Sequence, residues 1–230
     1  MKQVVTTGIV LTRTDFGEAD RILTIVTPDH GKIRVIARGV RKIKSKLAGG
    51  IELFSISHIT FIEGKSDIKT LVSTRLQQHF GTIVHDIDRT MFGYDVLKTI
   101  NRITEDNAGE EYFELLSQIL HALDDASLSI DLISLWFYAH LLKITGHSPN
   151  VRTDIHRQKL EANQSYGFDF DTMAFMSQPK GKYGVQHIKT LRLGLGVDSP
   201  VSLKQVGGIA AVLADCLLLT RTMLSQFMRL

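Results

Sequence analysis

The stretch Gly31-Lys32-Ile33-Arg34-Val35-Ile36-Ala37-Arg38-Gly39-Val40-Arg41-Lys42-Ile43-Lys44-Ser45-Lys46 carries seven basic side chains and no acidic one. Its first half reads as a β-strand. Successive strand side chains point to opposite faces, so Ile33, Val35 and Ala37 share one side and Lys32, Arg34, Ile36 and Arg38 the other. The second half, Gly39 to Lys46, reads as a loop holding four of the seven cations: Arg41, Lys42, Lys44 and Lys46. A sheet with an apolar underside, a basic upper face and a basic loop suits a phosphate backbone laid across it. The plain alternative is a solvated strand kept soluble by Lys and Arg. The clustering beside a strand favours nucleic-acid contact, and Lys32, Arg34, Arg38, Arg41, Lys42, Lys44 and Lys46 are the candidate contact residues.

Outward from this stretch, residues 4–13, 19–27, 31–38, 54–63 and 68–75 all read as strands, short, rich in Val, Ile and Thr, and separated by turn residues. Thr27-Pro28-Asp29-His30-Gly31 is a hairpin loop, with Pro28 pre-setting φ and Gly31 free to take a positive φ. Five short strands match an OB barrel, although the spacing equally allows another small barrel such as an SH3-like one. After residue 85 the period changes to that of helices, with Phe92, Val96, Ile100 and Ile103, then Phe113, Leu116, Leu120 and Leu123. Asp131–Thr145 is apolar nearly all round, which places it at the centre of a bundle, and it stops at Gly146 with Pro149 beyond. Residues 147–183 are polar and loop-rich. Ser202-Leu203-Lys204-Gln205 has the form of a capping box opening a final helical region toward Leu230, with Gly207-Gly208 able to divide it in two. The predicted fold class is α+β: a five-stranded OB-type barrel over residues 1–80, then an α-helical bundle over 81–230 interrupted by a polar insert at 147–183.

Charge follows the same division. Residues 1–80 carry 13 Lys and Arg against 7 Asp and Glu, a net of +6; residues 81–150 carry 4 against 11, a net of −7; residues 151–230 carry 10 against 6, a net of +4. Attraction to a polyanion therefore comes from the two ends. A 43% hydrophobic and 22% charged chain of 230 residues is globular, with enough length to bury a real core. The single cysteine, Cys216, excludes an intramolecular disulfide and a cysteine metal cage. The N-terminal residues lack the pattern of an export signal and the apolar stretches are broken by charge, so the reading is cytoplasmic with no membrane span.

Enzymatic signatures are missing. Gly64-Lys65-Ser66 resembles the end of a P-loop, but position 59 is Ile and the segment joins two strands. Asp86/Asp88 and Asp124/Asp125 flank helices, where carboxylates favour the dipole more readily than they form a catalytic pair. His147, His156 and His187 have no ligand spacing, and Cys216 reads as a small buried hydrophobe. The prediction is a non-enzyme without cofactor.

The segments Gly8-Ile9-Val10-Leu11, Asp15-Phe16-Gly17-Glu18-Ala19-Asp20-Arg21-Ile22-Leu23 and Thr27-Pro28-Asp29-His30-Gly31-Lys32 closely resemble the RecO family. Ala37-Arg38-Gly39-Val40-Arg41 and Ser45-Lys46-Leu47-Ala48-Gly49-Gly50 continue the resemblance, and Gly146 to Asn150 echoes it weakly. These are bacterial recombination mediators of the RecF pathway. The resemblance implies an N-terminal OB domain, a helical domain, binding of single-stranded and double-stranded DNA, and annealing of complementary strands. It also implies loading of recombinase on DNA coated by single-strand-binding protein, with RecR and the C-terminal tail of that binding protein as partners. Basic residues Arg152, Arg157, Lys159, Lys180, Lys182, Lys189, Arg192 and Lys204 are available to rim a pocket for such a tail. Many family members carry a four-cysteine zinc site in the insert. The corresponding positions here fall near Asp154 and Arg157 and near Met176 and Pro179, so the prediction is no zinc, with Phe168, Phe170, Met173, Phe175 and Met176 packing on the bundle to stabilise the insert instead. Few aromatics precede residue 85. Phe16, Phe54, Phe61 and Phe80 read mostly as core, so the DNA contact is predicted to be mainly electrostatic. An RNA-binding OB protein, and a non-catalytic adaptor whose basic face meets an acidic protein, are the alternative readings.

Overall fold

A computed structural model of the protein describes residues 2–64, 66–104 and 108–228. Lys65 of the P-loop-like tripeptide, and Arg229 and Leu230 at the end of the predicted last helix, lie outside these. The chain forms two compact units, residues 1–126 and 127–230.

The first unit is built on strands β1 (Lys2–Phe16), β2 (Asp20–Thr27), β3 (Gly31–Ala37), β4 (Ser55–Glu63) and β5 (Ile68–His79), closed into a barrel in the order β1-β2-β3-β5-β4. Strand β1 makes the closure. Its first half pairs with β4, from Lys2 opposite Glu63 to Ile9 opposite Ile56. Its second half pairs with β2, from Ile9 opposite Val26 to Phe16 opposite Asp20, with a register shift between Val10 and Thr12. Such a shift bends a strand sharply enough to serve two neighbours around a ring. The parallel pairing of β3 with β5, Arg34 opposite Ile68 to Ile36 opposite Thr70, completes an OB-type ring and excludes a simple meander. The β2–β3 hairpin turns where the sequence places it, with Gly31 at φ 61°.

The barrel is filled by Val4, Val10, Leu23, Ile25, Ile33, Val35, Ala37, Ile59, Phe61 and Leu71, and it is plugged by Val40 and Ile51 from the segment after β3. Ile33, Val35 and Ala37 face this core, while Arg34 is exposed and Lys32 and Ile36 are half-buried on the outside, as the alternation predicts.

Helices α1 (Ile87–Ile103) and α2 (Glu110–Asp124) belong to the same unit as the barrel. The Asp86 side chain caps α1 by accepting the N–H groups of Asp88 and Arg89. Both helices end against basic side chains. The Lys32 ammonium donates to the carbonyl oxygens of Asn101, at 2.9 Å, and Thr104, at the C-terminus of α1. The Arg89 guanidinium, in a residue only 6% exposed, donates to the carbonyls of Leu123, Asp125 and Ala126 just where α2 ends. Terminal carbonyls have no partner within their own helix and sit at the negative end of the dipole, so a buried cation is well matched there.

The second unit centres on α3 (Ile130–Ile144), whose Ile133, Leu135, Trp136, Phe137, Ala139, Leu141 and Leu142 are buried. It packs against α4 (Val185–Gly196) and α5 (Leu213–Met228). Ser129 caps the start of α3, and Gly146 ends it at φ 78°, with the His147 N–H returning to the Leu142 carbonyl. That left-handed position is the reason a glycine stands there.

Two features depart from the sequence reading. The insert is not merely loop: β6 (Asn150–Asp154), β7 (Tyr166–Asp169) and β8 (Ala174–Ser177) form a small sheet in the order β6-β8-β7. Phe168 and Phe175 meet edge to face at 5.1 Å, Phe175 meets Tyr183, and Tyr183 meets His187 of α4. Phe168, Met173 and Phe175 are buried and Phe170 and Met176 half-buried; Phe168 and Phe175 cluster within the small sheet itself, and the link to α4 runs through Tyr183 and His187. The second departure concerns Ser202-Leu203-Lys204-Gln205, which caps no α-helix. It lies inside a 3-10 turn, Pro200–Gln205, capped by Ser199, and Gly208 at φ 82° breaks the chain again before α5 begins at Leu213. Pro200 and the double glycine override the local capping pattern. Among the described residues no helix is long and apolar enough to cross a membrane.

The two cationic caps make separable predictions. Arg89→Ala orphans buried carbonyls at the end of α2 and should lower unfolding free energy by about 3 kcal/mol in urea titration. Lys32→Met should lower it by about 1 kcal/mol while leaving the salt dependence of oligonucleotide binding unchanged; a flatter salt slope would return Lys32 to the contact surface.

Candidate nucleic-acid interface

The basic loop is held at both ends. Gly39 donates its N–H to the Asp20 carboxylate at 2.7 Å and Arg41 donates its N–H to the Ala19 carbonyl at 2.9 Å, so the loop is pinned to the β1–β2 turn. Within it, Lys42 N–H reaches the Gly39 carbonyl and Ser45 N–H the Lys42 carbonyl, making two consecutive turns. Buried Val40 and half-buried Leu47 and Ala48 anchor the loop to the barrel core. From this fixed base Lys42, Lys44 and Lys46 are exposed, and Ile43 stands fully exposed between the first two.

The seven cations do not form one equivalent set. Arg34 and Arg38 are exposed on the outer face of β3 and its end, flanking Ile36 at intervals of about 7 Å. Arg41 is exposed but lies 3.5 Å from Asp15, which also binds Arg21 at 2.8 Å. The hydrogen bond from Arg21, with the charges of Arg41 and Arg13, holds the Asp15 carboxyl below the usual carboxylate range. Lys32 is directed away from the others, into the end of α1. Sequence spacing carried no sign of this, because the acceptors lie about seventy positions away.

An apolar element lies beside these cations. Phe54, Phe61 and Phe80 are buried as read, but Phe16 is 52% exposed at the β1–β2 turn. It lines an open cleft of about 330 Å³ together with Ile22, Ile36, Ile62, Ile68 and Arg38. Ile22 pairs with Ile36, Ile36 with Thr70, and Thr70 with Ile62, so one cross-strand row presents β-branched side chains to the outside of the barrel. The signal was present in the alternation, which already put Ile36 among the outward-facing cations.

In the second unit the basic residues considered for a pocket rim are partly engaged. Lys182 pairs with Asp215 at 2.8 Å, Arg192 donates to the Val151 carbonyl at 2.6 Å, and Lys204 donates to the Ser127 hydroxyl at 2.8 Å. His187 accepts the Gly184 N–H on Nδ1, which leaves Nε2 to meet Asp215 at 3.4 Å. Burial pushes the adjacent Cys216 thiol up to about 12, so it stays protonated and unreactive near neutral pH.

At the first of the positions matched to zinc cysteines, buried Asp154 accepts the backbone N–H groups of His156 at 2.9 Å and Gln158 at 2.8 Å. Arg157 closes the turn at φ 63° by donating its N–H to the Asp154 carbonyl. A carboxylate thus organises this turn by hydrogen bonds. Among the described residues no group of three or more His, Cys, Asp or Glu is placed to hold a metal ion.

Comparison with known proteins agrees with the geometry. Residues 1–80 match the family model described as Recombination protein O N terminal, and residues 84–186 match Recombination protein O C terminal. The chain is 35% identical over 163 residues to the DNA repair protein RecO of Dehalococcoides mccartyi, covering 70% of this chain and 64% of that one. It is 35% identical over 147 residues to that of Roseiflexus sp., covering 64% and 51%, and 30% identical over 154 residues to that of Listeria welshimeri, covering 66% and 52%. The chain therefore spans less than two thirds of the length of these relatives. With both halves of the family matched in order and an OB-type barrel at its front, the chain belongs to the RecO family of DNA repair and recombination proteins.

Proposed function

We propose that this protein binds single-stranded and double-stranded DNA through the outer face of its barrel, and that it anneals complementary strands during recombinational repair. The observation that carries this reading is the continuity of exposed Arg34 and Arg38 with the pinned loop bearing Arg41, Lys42, Lys44 and Lys46. A fixed row of cations gains affinity from phosphates by releasing counterions, without regard to sequence. Pinning the loop at Gly39 and Arg41 reduces the ordering cost on binding. Lys32 contributes to this surface only indirectly, by fixing the end of α1.

Membership of the family supports the wider role: loading of recombinase on DNA coated by single-strand-binding protein, with RecR and the acidic, apolar tail of that protein as partners. The second unit is the docking platform in this reading. Lys182, Arg192 and Lys204 already have partners of their own. The tail receptor is therefore best sought among Arg152, Arg157, Lys159, Lys180 and Lys189.

Binding of fluorescent single-stranded DNA over a salt series tests the surface. Changing Arg38, Arg41, Lys42 and Lys44 together to Ala should flatten the log–log salt slope by about 3, from roughly 0.7 per phosphate, and suppress annealing. An unchanged slope moves the DNA path off the barrel. A clear preference for RNA of equal length would promote an RNA-binding role, and absence of nucleic-acid binding a protein adaptor.

A further inference from the structure

The outer wall of a small closed barrel faces water, and polar side chains are the default there. The row Ile22–Ile36–Thr70–Ile62 breaks that pattern, and it does so at the one place where exposed Arg34 and Arg38 stand two residues to either side on β3. Ile22, Ile36, Ile62 and Ile68 are each half-buried, forming a shallow apolar wall, and Phe16 stands beside it, half of its surface still open. The cleft between them, about 330 Å³, lies at the small end of the range for ligand pockets of about 300–1,000 Å³. Arg38 is part of its lining, and the basic loop begins at the next residue.

We propose that this cleft seats a nucleobase of the bound strand, with the Phe16 ring as its stacking surface, the isoleucine wall as its floor and Arg38 on the adjoining phosphate. The inference rests on the reading of the barrel as a single-strand-binding surface and adds a base contact to what charge alone provides. Charge complementarity selects the occupant, since the apolar floor is bordered by cations where a polyanion presents planar, apolar faces at regular intervals. An extended peptide fits less well. Strand addition needs an open sheet edge, and β3 is paired on both sides, with β2 and with β5. Phe16 is held at the same turn that pins the basic loop, through Ala19 and Asp20, so base and phosphate contacts share one rigid mount. Duplex DNA keeps its bases stacked and has none to offer the cleft, so the seat discriminates single strands from duplex.

The test compares the full chain with its Phe16→Ala and Phe16→Trp variants, using labelled oligo-dT and an abasic strand of the same length and charge. Wild type should bind oligo-dT at least about fivefold more tightly than the abasic strand, the equivalent of one stacked base. Phe16→Ala should abolish that preference while leaving abasic binding and the salt slope unchanged. Phe16→Trp should keep the preference and show fluorescence quenching with oligo-dT over the constant background of buried Trp136. Equal wild-type affinity for both strands, or a preference that survives in Phe16→Ala, overturns the base seat and leaves the phosphate surface intact. Parallel loss of both strands in Phe16→Ala would make Phe16 a prop for the basic loop and also overturns it. Failure of wild type to bind either strand removes the DNA reading itself, and the seat with it.

Discussion

Closure of the barrel is the constraint on which the rest depends. Strand β1 passes from β4 to β2 at Ile9, which pairs with both, the irregularity between Val10 and Thr12 follows at once, and the parallel β3–β5 pairing completes the ring. A closed ring has a fixed inside. Once Ile33, Val35 and Ala37 are committed to it, Arg34 and Ile36 have no choice but to face outward. The same closure brings Ile62 of β4 and Thr70 of β5 alongside Ile36, so residues distant in sequence assemble the apolar row beside the cations. The plug residues Val40 and Ile51 then draw the chain after β3 over the barrel and set where the basic loop leaves it.

Formal charge is a poor guide to which cations are available. Lys32 and Arg89 satisfy helix-terminal carbonyls, Arg13 is bound to Glu52 at 2.6 Å, and Arg21 is bound to Asp15. These residues add positive charge to the first unit that is already engaged within the fold. What distinguishes Arg34, Arg38, Lys42, Lys44 and Lys46 is exposure on a rigid base. Cations with partners inside the fold serve its architecture, whereas the exposed ones make up the surface proposed to meet DNA.

Much of this was legible in the sequence, for local reasons. Two-residue alternation gave the strands and the orientation of β3, and turn chemistry gave the β2–β3 hairpin. Helical periodicity gave α1, α2 and α3, including the glycine at the end of α3. What stayed hidden depended on distant partners or on competing signals. The role of Lys32 is decided by carbonyls at Asn101 and Thr104. Strands β6, β7 and β8 are only four or five residues long, too short for alternation to register, and their stability comes from an aromatic cluster completed by Tyr183. The capping pattern at Ser202 was genuine locally, but Pro200 and Gly208 decided the outcome. Of the four early aromatics, read as mostly core, Phe54, Phe61 and Phe80 are buried, and nothing local to the sequence singled out Phe16 as the exposed one.

The shared strand also dictates an order of events during folding. The β2–β3 hairpin closes over a loop of a few residues and can form early. The ring cannot: Lys2 must find Glu63, and β3 must accept β5 in parallel from more than thirty residues away. Contacts of such long sequence separation form slowly, after the local ones. During synthesis the first strand therefore emerges well ahead of the partner for its leading half, and it can hold only β2 until β4 has left the ribosome. The changeover at Ile9 divides the strand into an early-pairing half and a late-pairing half, so β1 is the first piece of the barrel to be made yet stays half engaged until β4 arrives, and β3 waits longer still, for β5.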